Sequence, residues 1–278
     1  MSDDLRAALH QQWAGVAPAW SDGADEIDEH NAGTAAAMLA LAKIRPGERV
    51  LELACGPGGV GLEAAPLADP GEVVLSDVAV EMAEIAAARA AARGLTNVTT
   101  RVLDLEAIDE PDAAYDVVLC REGLMLVVDP ARAAREIARV LRPGGRASIA
   151  VWGARERNPW LGTLFDAVGE QLSAPIPPPG VPGPFSLPSL DVLVGLLRGA
   201  GLENVRGREV DAPFRPRSLD AWWERVPNIA GPVAKMLAGM PADAVGAIRE
   251  RAIAELAAYA GPHGVEIPGL TLVAGGRR

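Results

Sequence analysis

The chain has 278 residues and a formal net charge of −11, from 37 acidic and 26 basic side chains. Nucleic-acid binding needs a basic surface, and because these bases are scattered we exclude DNA and RNA as partners. Apolar residues make up 49% of the chain and charged residues 23%, which predicts a folded protein with a sizeable core. No apolar run approaches the roughly 20 residues that span a bilayer.

The cysteines and histidines narrow the possible classes further. Cys55 and Cys120 are too few for a disulfide framework, and the acidic N-terminal segment does not resemble a signal peptide. We therefore expect a reducing, cytoplasmic environment. Histidine occurs only at positions 10, 30 and 263, which argues against a histidine-rich metal centre, so we expect no metal. Either a monomer or a homodimer is compatible with these features.

The predicted elements begin with an amphipathic helical pattern over residues 1–46, which ends at Arg45-Pro46-Gly47. Short runs rich in valine, leucine and isoleucine then alternate with helical stretches. This alternation is typical of a parallel sheet that is covered on both faces. The predicted strands are 49–54, 73–77, 98–104, 115–120 and 146–152, and the helices between them include 79–93 and 129–141.

The alternation breaks after residue 152. A helix is predicted over 158–172, and seven prolines in 175–188 indicate an ordered loop or linker. A helix over 189–200 and strands over 204–210 and 271–275 follow. Residues 218–259, between those two strands, predict two or three helices, which we interpret as a lid. The acidic stretch 22–29 is interpreted as a solvated loop.

A glycine-rich turn follows the first predicted strand. Gly56, Gly58 and Gly61 match the G-x-G-x-x-G pattern, which lets the backbone turn sharply and a ligand approach closely. Asp77 ends the next strand about 20 residues later, where its carboxylate can accept hydrogen bonds from two ribose hydroxyls. The pattern predicts a ligand that contains adenosine and leaves open whether it is NAD(P) or S-adenosylmethionine.

Three features favour S-adenosylmethionine. Glu52 precedes the glycine turn, where acidity suits an ammonium group and disfavours a pyrophosphate. Asp104 ends the third strand, where it can accept from an adenine amino group. Tyr115 has no lysine four residues later, so no dehydrogenase dyad is visible. Glu52 and Asp104 could merely cap loops, but acids at successive strand ends would all face one crevice.

The segment 47–152 resembles the class I S-adenosylmethionine-dependent methyltransferases, in the group that includes the ubiquinone/menaquinone biosynthesis enzymes. Five motifs in the family's order carry the resemblance: VLELACGPGG (50–59), VVLSDVAVEM (73–82), RVLDLEAI (101–108), YDVVLCREGLMLVVDP (115–130) and REIARVLRPGGRASIAVW (135–152). The implied fold is α/β, with a Rossmann-like, seven-stranded, mostly parallel sheet, helices on both faces and a helical lid. The expected divisions are an N-terminal helical cap (1–46), a cofactor-binding core (47–212 and 263–278) and a lid (213–262).

The resemblance also implies roles for individual residues. Glu52, with the backbones of Ala54 and Cys120, would hold the methionine amino group. Ala54 occupies a position that is usually glycine in the family, so we expect a slightly tighter turn. The other implied cofactor contacts are the backbones of Gly56 and Gly58, Cys55 beside the cofactor, Asp77 at the ribose hydroxyls, Val78 and Met82 flanking the adenine, and Asp104 with the Leu105 amide at the adenine edge.

The aromatic residues suggest where an acceptor would bind. Of the 11 Phe, Tyr and Trp residues, only Tyr115 lies between 47 and 150. The others predict either an ordinary lid core or an apolar acceptor pocket, and as a set they favour a small, largely apolar or aromatic acceptor. Trp20, Trp152 and Glu122 are candidate acceptor contacts, although Glu122 could instead form a loop salt bridge.

His30 is the candidate general base, because it shortly precedes the helix that leads into the first strand. A surface histidine is the alternative interpretation. The presence of a possible base slightly favours O-methylation over C-methylation. Two other functions stay open, namely an NAD(P)-linked oxidoreductase on the same fold and a non-catalytic module that keeps the cofactor pocket.

Overall fold

A seven-stranded sheet organises the chain in the computed structural model, which describes residues 2–262 and 264–278, so that Met1 and His263 lie outside the described residues. The strand order is β3-β2-β1-β4-β5-β9-β6, and β7 and β8 form a separate two-stranded pair. The strands are β1 (Val50–Leu53), β2 (Val73–Asp77), β3 (Val98–Val102), β4 (Tyr115–Arg121), β5 (Leu141–Trp152), β6 (Glu203–Asp211), β7 (Ala260–Gly261), β8 (Gly264–Val265) and β9 (Leu270–Arg277).

The sheet is mostly parallel, as predicted. Neighbouring strands from β3 to β5 pair in parallel, whereas β9 runs antiparallel to both β5 and β6. The chain leaves β1 towards β2 and β3, then returns to place β4 on the other side of β1. Such a reversal opens a crevice beyond the carboxyl ends of the two central strands.

Eleven α-helices are found in the described residues, and they cover both faces of the sheet. None of them is both long enough and apolar enough to span a membrane. They are α1 (Ser2–Asp22), α2 (Ala24–His30), α3 (Ala32–Ala42), α4 (Gly59–Ala68), α5 (Val80–Ala92), α6 (Pro130–Val140), α7 (Pro159–Leu172), α8 (Leu190–Gly199), α9 (Leu219–Ile229), α10 (Pro232–Ala238) and α11 (Ala242–Leu256).

The central strands β1 and β4 are largely buried on both faces, which explains why most of their residues are apolar. In β4, Val117 and Leu119 belong to the hydrophobic cluster that includes residues of α3 and α4. Val118 and Cys120, which alternate with them, belong to the cluster on the opposite face with α6 and α7. Because successive side chains of a strand point to opposite faces, each strand joins both layers of the core.

The glycines at 144 and 145 do not separate α6 from the next strand, although the predicted helix (129–141) and the predicted strand (146–152) left residues 142–145 between them. Helix α6 ends at Val140 and β5 begins at Leu141, with a register irregularity near its start. Gly144 N–H donates to the Arg278 carbonyl at 2.7 Å, and Arg278 N–H donates to the Gly145 carbonyl at 3.0 Å. The end of the chain therefore supplies partners that hold this segment extended.

The acidic stretch 22–29 is not a solvated loop, and that interpretation was wrong. It contains most of α2, and Asp25 and Asp28 both accept hydrogen bonds from the Arg89 guanidinium, at 2.8 and 2.7 Å. Arg89 lies in α5 and also donates to the Pro57 carbonyl at 3.0 Å. These contacts fasten α2 to the glycine turn, so the N-terminal helices are held at the carboxyl edge of the sheet.

Gly61 provides a test of the close packing beneath this turn. A Cβ atom at position 61 would lie 2.1 Å from Leu75 Cδ2 and 2.5 Å from Glu52 Oε2. We expect Gly61→Ala to destabilise the protein by about 1–3 kcal/mol through overpacking, measured by urea unfolding. The control is Gly246→Ala in α11, where a Cβ meets nothing within 4 Å. It should leave the free energy of unfolding unchanged or raise it by about 0.5–1 kcal/mol. Equal effects of the two changes would contradict the packing described for α4.

Candidate active site

A cleft of about 110 Å³ lies beyond the carboxyl ends of β1, β2 and β4, and we call it the strand-end cleft. Its walls include Arg6, His10, Trp20, Arg121 and Glu122. Eight of the residues assigned to the cofactor from the sequence also line it: Ala54, Cys55, Gly56, Asp77, Val78, Met82, Asp104 and Leu105.

The glycine turn is shaped by three residues with left-handed backbone angles. The φ values are +50° at Ala54, +51° at Gly56 and +90° at Gly58. An L-residue in this conformation costs roughly 1 kcal/mol, so Ala54 carries a strain that glycine would avoid. Gly56 N–H donates to Asp77 Oδ2 at 2.9 Å, which fixes the turn against the end of β2.

The Asp77 carboxylate is buried and accepts hydrogen bonds from backbone amides. It is 7% exposed, and its Oδ1 accepts from the Ala79 N–H at 3.0 Å. Burial raises the pKa of Asp77, while the bonds from the Ala79 and Gly56 amides lower it. An ionised carboxylate has about four acceptor sites, so two backbone bonds leave capacity for two hydroxyl donors from the cleft.

Asp104 lies at another wall of the strand-end cleft, beside α1. Its Oδ1 accepts from the Glu106 N–H at 2.8 Å. Its Oδ2 lies 3.5 Å from Arg6 Nε and 4.0 Å from His10 Nε2, and both of these residues belong to α1. In this conformation α1 therefore occupies the neighbourhood of the acid that was assigned to the adenine amino group, and that assignment stays a prediction.

Glu52, Gly58 and Cys120 are the three assigned residues that do not line the strand-end cleft. Glu52 is 1% exposed and its Oε2 accepts from Gly61 N–H at 2.8 Å, so it holds the start of α4. Burial raises the pKa of Glu52 to about 7, although the charge of Arg121 lowers it. Gly58 caps α4, and Cys120 is fully buried, with the pKa of its thiol raised to about 12 by burial. Their proposed contacts with a methionine group stay predictions.

Arg121 is a charged residue of the cleft that the sequence analysis missed. It ends β4 with a side chain only 7% exposed, and its Nη2 lies 3.8 Å from Asp28 Oδ1. The guanidinium brings positive charge into a cleft whose other walls carry several carboxylates. A usable sequence signal was present, since Arg121 directly follows the apolar run 117–120.

A second cavity, of about 370 Å³, adjoins the strand-end cleft, and we call it the apolar cavity. Trp152 and His30 line it, together with residues from α1, α7, α9 and α10. The two spaces share one wall, formed by Leu9, Trp13, Trp20, Glu122 and Leu126. The structure therefore brings Trp20, Trp152, Glu122 and His30, all selected from the sequence, to the same space.

His30 is enclosed by aromatic rings on one side of the apolar cavity. Its ring centroid lies 5.8 Å from that of Trp152, 5.4 Å from Trp160 and 5.0 Å from Phe214. Burial lowers the pKa of His30 to about 4, with a smaller opposing effect of the Pro213 carbonyl. Within the described residues, neither ring nitrogen of His30 has a hydrogen-bond partner. His30 is therefore neutral at pH 7.

The proline-rich segment forms another wall of the apolar cavity. Pro177, Pro178, Val181, Pro182 and Pro184 all line it. The prolines of 175–188 predicted an ordered loop or linker. Because proline fixes the backbone φ angle, the density of prolines was itself a signal of a rigid wall.

Comparisons with known proteins agree with this architecture. Residues 50–145 match a family described as a methyltransferase domain. The ubiquinone/menaquinone biosynthesis C-methyltransferase UbiE of Ectopseudomonas mendocina is 35% identical over 130 residues, 46% of this chain and 50% of that protein. Nocamycin O-methyltransferase of Saccharothrix syringae is 32% identical over 198 residues, 66% of this chain and 69% of that protein. The YcgJ protein of Bacillus subtilis has a similar fold, with a TM-score of 0.60 and 20% identity over 88% of this chain and 97% of that chain.

The chain belongs to the class I S-adenosylmethionine-dependent methyltransferases. It spans about half the length of the UbiE relative that it matches. The cofactor of this class is S-adenosylmethionine, as predicted. In the described ranges, 2–262 and 264–278, no group of three or more His, Cys, Asp or Glu residues could hold a metal ion.

The residues of the strand-end cleft fit S-adenosylmethionine. Asp77 offers acceptors for a ribose diol, Val78 and Met82 offer apolar contact for a flat base, and Arg121 offers a cation for a carboxylate. The ribose diol, the flat adenine base and the methionine carboxylate of S-adenosylmethionine each have a matching residue here.

Asp77→Ala tests the ribose assignment. We expect it to weaken binding of S-adenosylmethionine and S-adenosylhomocysteine by about 1.5–3 kcal/mol, since charge-assisted hydrogen bonds are lost. Isothermal titration calorimetry measures this, with NAD as a ligand that should not bind the unchanged protein. Asp109→Ala, at an exposed position outside the cleft, is the matched control and should bind normally. An unchanged dissociation constant for Asp77→Ala would refute the assignment.

Proposed function

We propose that the protein transfers the methyl group of S-adenosylmethionine to a small, largely apolar acceptor, with oxygen preferred over carbon as the accepting atom. One observation carries the proposal, namely the shared wall between the strand-end cleft and the apolar cavity. A donor in the first space and an acceptor in the second would meet at that wall. Methyl transfer requires such alignment of the donor and the nucleophile.

On the donor side, the bound cofactor supplies a methyl group activated by a positively charged sulfur. Asp77 would accept hydrogen bonds from the ribose hydroxyls, while the Gly56 N–H keeps its carboxylate in place. Arg121 would pair with the methionine carboxylate, because its buried guanidinium lines the cleft. Asp104 would accept from the adenine amino group once Arg6 and His10 give way.

On the acceptor side, the apolar cavity offers few polar partners. Tryptophans, phenylalanines and prolines form much of its lining. A sugar or an amino acid would leave many of its polar groups unpaired there, at a cost of roughly 1–3 kcal/mol for each buried group. An apolar or aromatic molecule with one reactive group fits this lining better.

The preference for an oxygen acceptor rests on two of the titratable groups that line the apolar cavity, His30 and Glu122. A hydroxyl nucleophile must lose a proton, so a nearby base favours that chemistry. The names of the relatives include both possibilities, a C-methyltransferase and an O-methyltransferase. With the pKa of His30 near 4, its ring is a weak base and would serve mainly as an aromatic contact.

A screen for methyl acceptors tests the proposed substrate class. We expect release of S-adenosylhomocysteine with apolar hydroxylated compounds, and none with sugars or amino acids, because the latter bury unpaired polar groups. Val181→Trp should fill the apolar cavity and lower turnover by about 10-fold or more, while cofactor affinity stays within about twofold.

The control for this screen is Val192→Trp, at a site in α8 that is 46% exposed and lines neither cavity. It should leave turnover unchanged. Turnover with sugars or amino acids alone, or equal turnover by Val181→Trp and the unchanged protein, would contradict an acceptor site in the apolar cavity.

A further inference from the structure

Glu122 is the charged residue among the five that form the wall between the two cavities. It directly follows β4, and its backbone N–H donates to the Ala150 carbonyl of β5 at 2.7 Å. The residue is half-buried because it faces these cavities, yet its Oε1 atom is buried and has no hydrogen-bond partner within the described residues. A buried carboxylate oxygen without a partner is costly, so its presence requires an explanation.

The backbone of Glu122 is strained as well. Its φ angle is +60°, in the left-handed region that favours glycine. The next residue is Gly123, so glycine lies one position away from the strained site. Strained backbone angles in non-glycine residues cluster at functional sites, where the side chain is needed. Two independent features, the orphaned oxygen and the strained backbone, thus occur at the point where donor and acceptor would meet.

We propose that Glu122 is the general base of the reaction and that the acceptor is a phenol or an enol. This inference rests on the proposed methyl transfer and names the group that makes it possible. The acceptor hydroxyl gives its proton to the Glu122 carboxylate and its oxygen lone pair forms the new C–O bond. The electron pair of the breaking C–S bond stays on the sulfur of S-adenosylhomocysteine.

The chemistry of the side chain selects the acceptor class. Burial raises the pKa of Glu122 to about 7, although the neighbouring charge of Arg121 lowers it. A base of this strength can take a proton from a hydroxyl with a pKa near 10, the ordinary value of a phenol. An aliphatic hydroxyl is a far weaker acid and would hold its proton.

The aromatic wall of the apolar cavity supports the same acceptor class. Trp160 and Phe214 stack with a centroid distance of 5.2 Å and an interplanar angle of 13°, and Trp152 lies edge-on to Trp160 at 5.1 Å. All three line the cavity together with neutral His30. A flat aromatic ring can pack against such a surface in offset or edge-to-face geometry, which adds to simple apolar burial.

Several charged or titratable groups share the two spaces with Glu122. Arg121 adjoins it, and its charge opposes the larger effect of burial on the pKa of Glu122. The others are Arg6, His10, Cys55, Asp77, Asp104 and Glu106 on the cleft side, and Glu26, His30 and Arg225 on the cavity side.

A nuclear magnetic resonance titration tests the state of Glu122 without any acceptor. The protein is labelled with ¹³C at the glutamate carboxyls, saturated with S-adenosylhomocysteine and titrated from about pH 5 to 9. We expect a carboxyl signal that titrates near pH 7, disappears in Glu122→Gln and persists in the control Glu63→Gln. Glu63 also has a pKa raised by burial but lines neither cavity. Glu52 titrates near pH 7 too, so the assignment depends on the loss in Glu122→Gln. If Glu122→Gln removes no signal that titrates in this range, the base assignment is overturned.

Methylation of p-cresol and p-nitrophenol tests the transfer itself. We expect the unchanged protein to methylate both, with a rate that rises through pH 7 as Glu122 loses its proton. Glu122→Gln should reduce p-cresol turnover by about 100-fold or more and abolish that rise, since no base takes the proton. It should retain turnover of p-nitrophenol at a pH where this phenol is already ionised.

The outcomes separate the two proposals. Equal losses for both phenols would show a structural role for Glu122, and methylation of neither phenol by the unchanged protein would overturn the phenol assignment. Calorimetry with S-adenosylhomocysteine distinguishes failure of the Glu122 and phenol assignments from failure of the proposed function. If the unchanged protein does not bind S-adenosylhomocysteine, the proposed function fails. If Glu122→Gln binds it normally but the carboxyl titration and the phenol assays do not give the expected results, only the role of Glu122 is wrong.

Discussion

The reversal of strand order between β1 and β4 is the constraint on which the site depends. Because β2 and β3 extend to one side of β1 and β4 lies on the other, two connecting segments diverge at the carboxyl edge of the sheet. The glycine turn leaves β1 there, and Arg121 and Glu122 leave β4 beside it. Asp77 secures this arrangement, since its carboxylate binds Gly56 N–H and Ala79 N–H together. The strand-end cleft and the apolar cavity both border this reversal.

The N-terminal helices complete the site because charge holds them to this edge. Oδ2 of Asp28 in α2 accepts a hydrogen bond from Arg89 at 2.7 Å, and its Oδ1 lies 3.8 Å from Arg121 Nη2. Once α2 is fastened, His30 at its end reaches the aromatic wall formed with Trp152 and Trp160. The acidic stretch 22–29, predicted as a solvated loop, therefore positions a wall of the proposed acceptor site. The net charge of −11 does not predict this arrangement, because it depends on local ion pairs between Asp28 and the two arginines.

Local sequence signals predicted the parts of the site that depend on neighbouring residues along the chain. Glycines in a turn, Asp77 at a strand end and unbroken apolar runs each report a short-range constraint, so the alternating fold and most of the cleft were foreseeable. The packing of Glu52 was also predictable: it shares a face of β1 with Val50, against α4, where its carboxylate accepts from Gly61 N–H. An arginine at a strand end and a proline-dense segment are visible in the sequence, but which cavities they line depends on distant segments that meet in space. The left-handed backbone of Glu122 leaves no local mark in the sequence.

The central claim is that a methyl donor and an apolar acceptor meet at the wall that contains Glu122. A crystal structure of the protein with S-adenosylhomocysteine tests it most directly. We predict that the ribose contacts Asp77, that the sulfur faces the wall shared by the two cavities, and that the apolar cavity opens beside it. A sulfur directed instead towards an open, arginine-lined surface groove would contradict the account and would indicate a macromolecular or anionic acceptor.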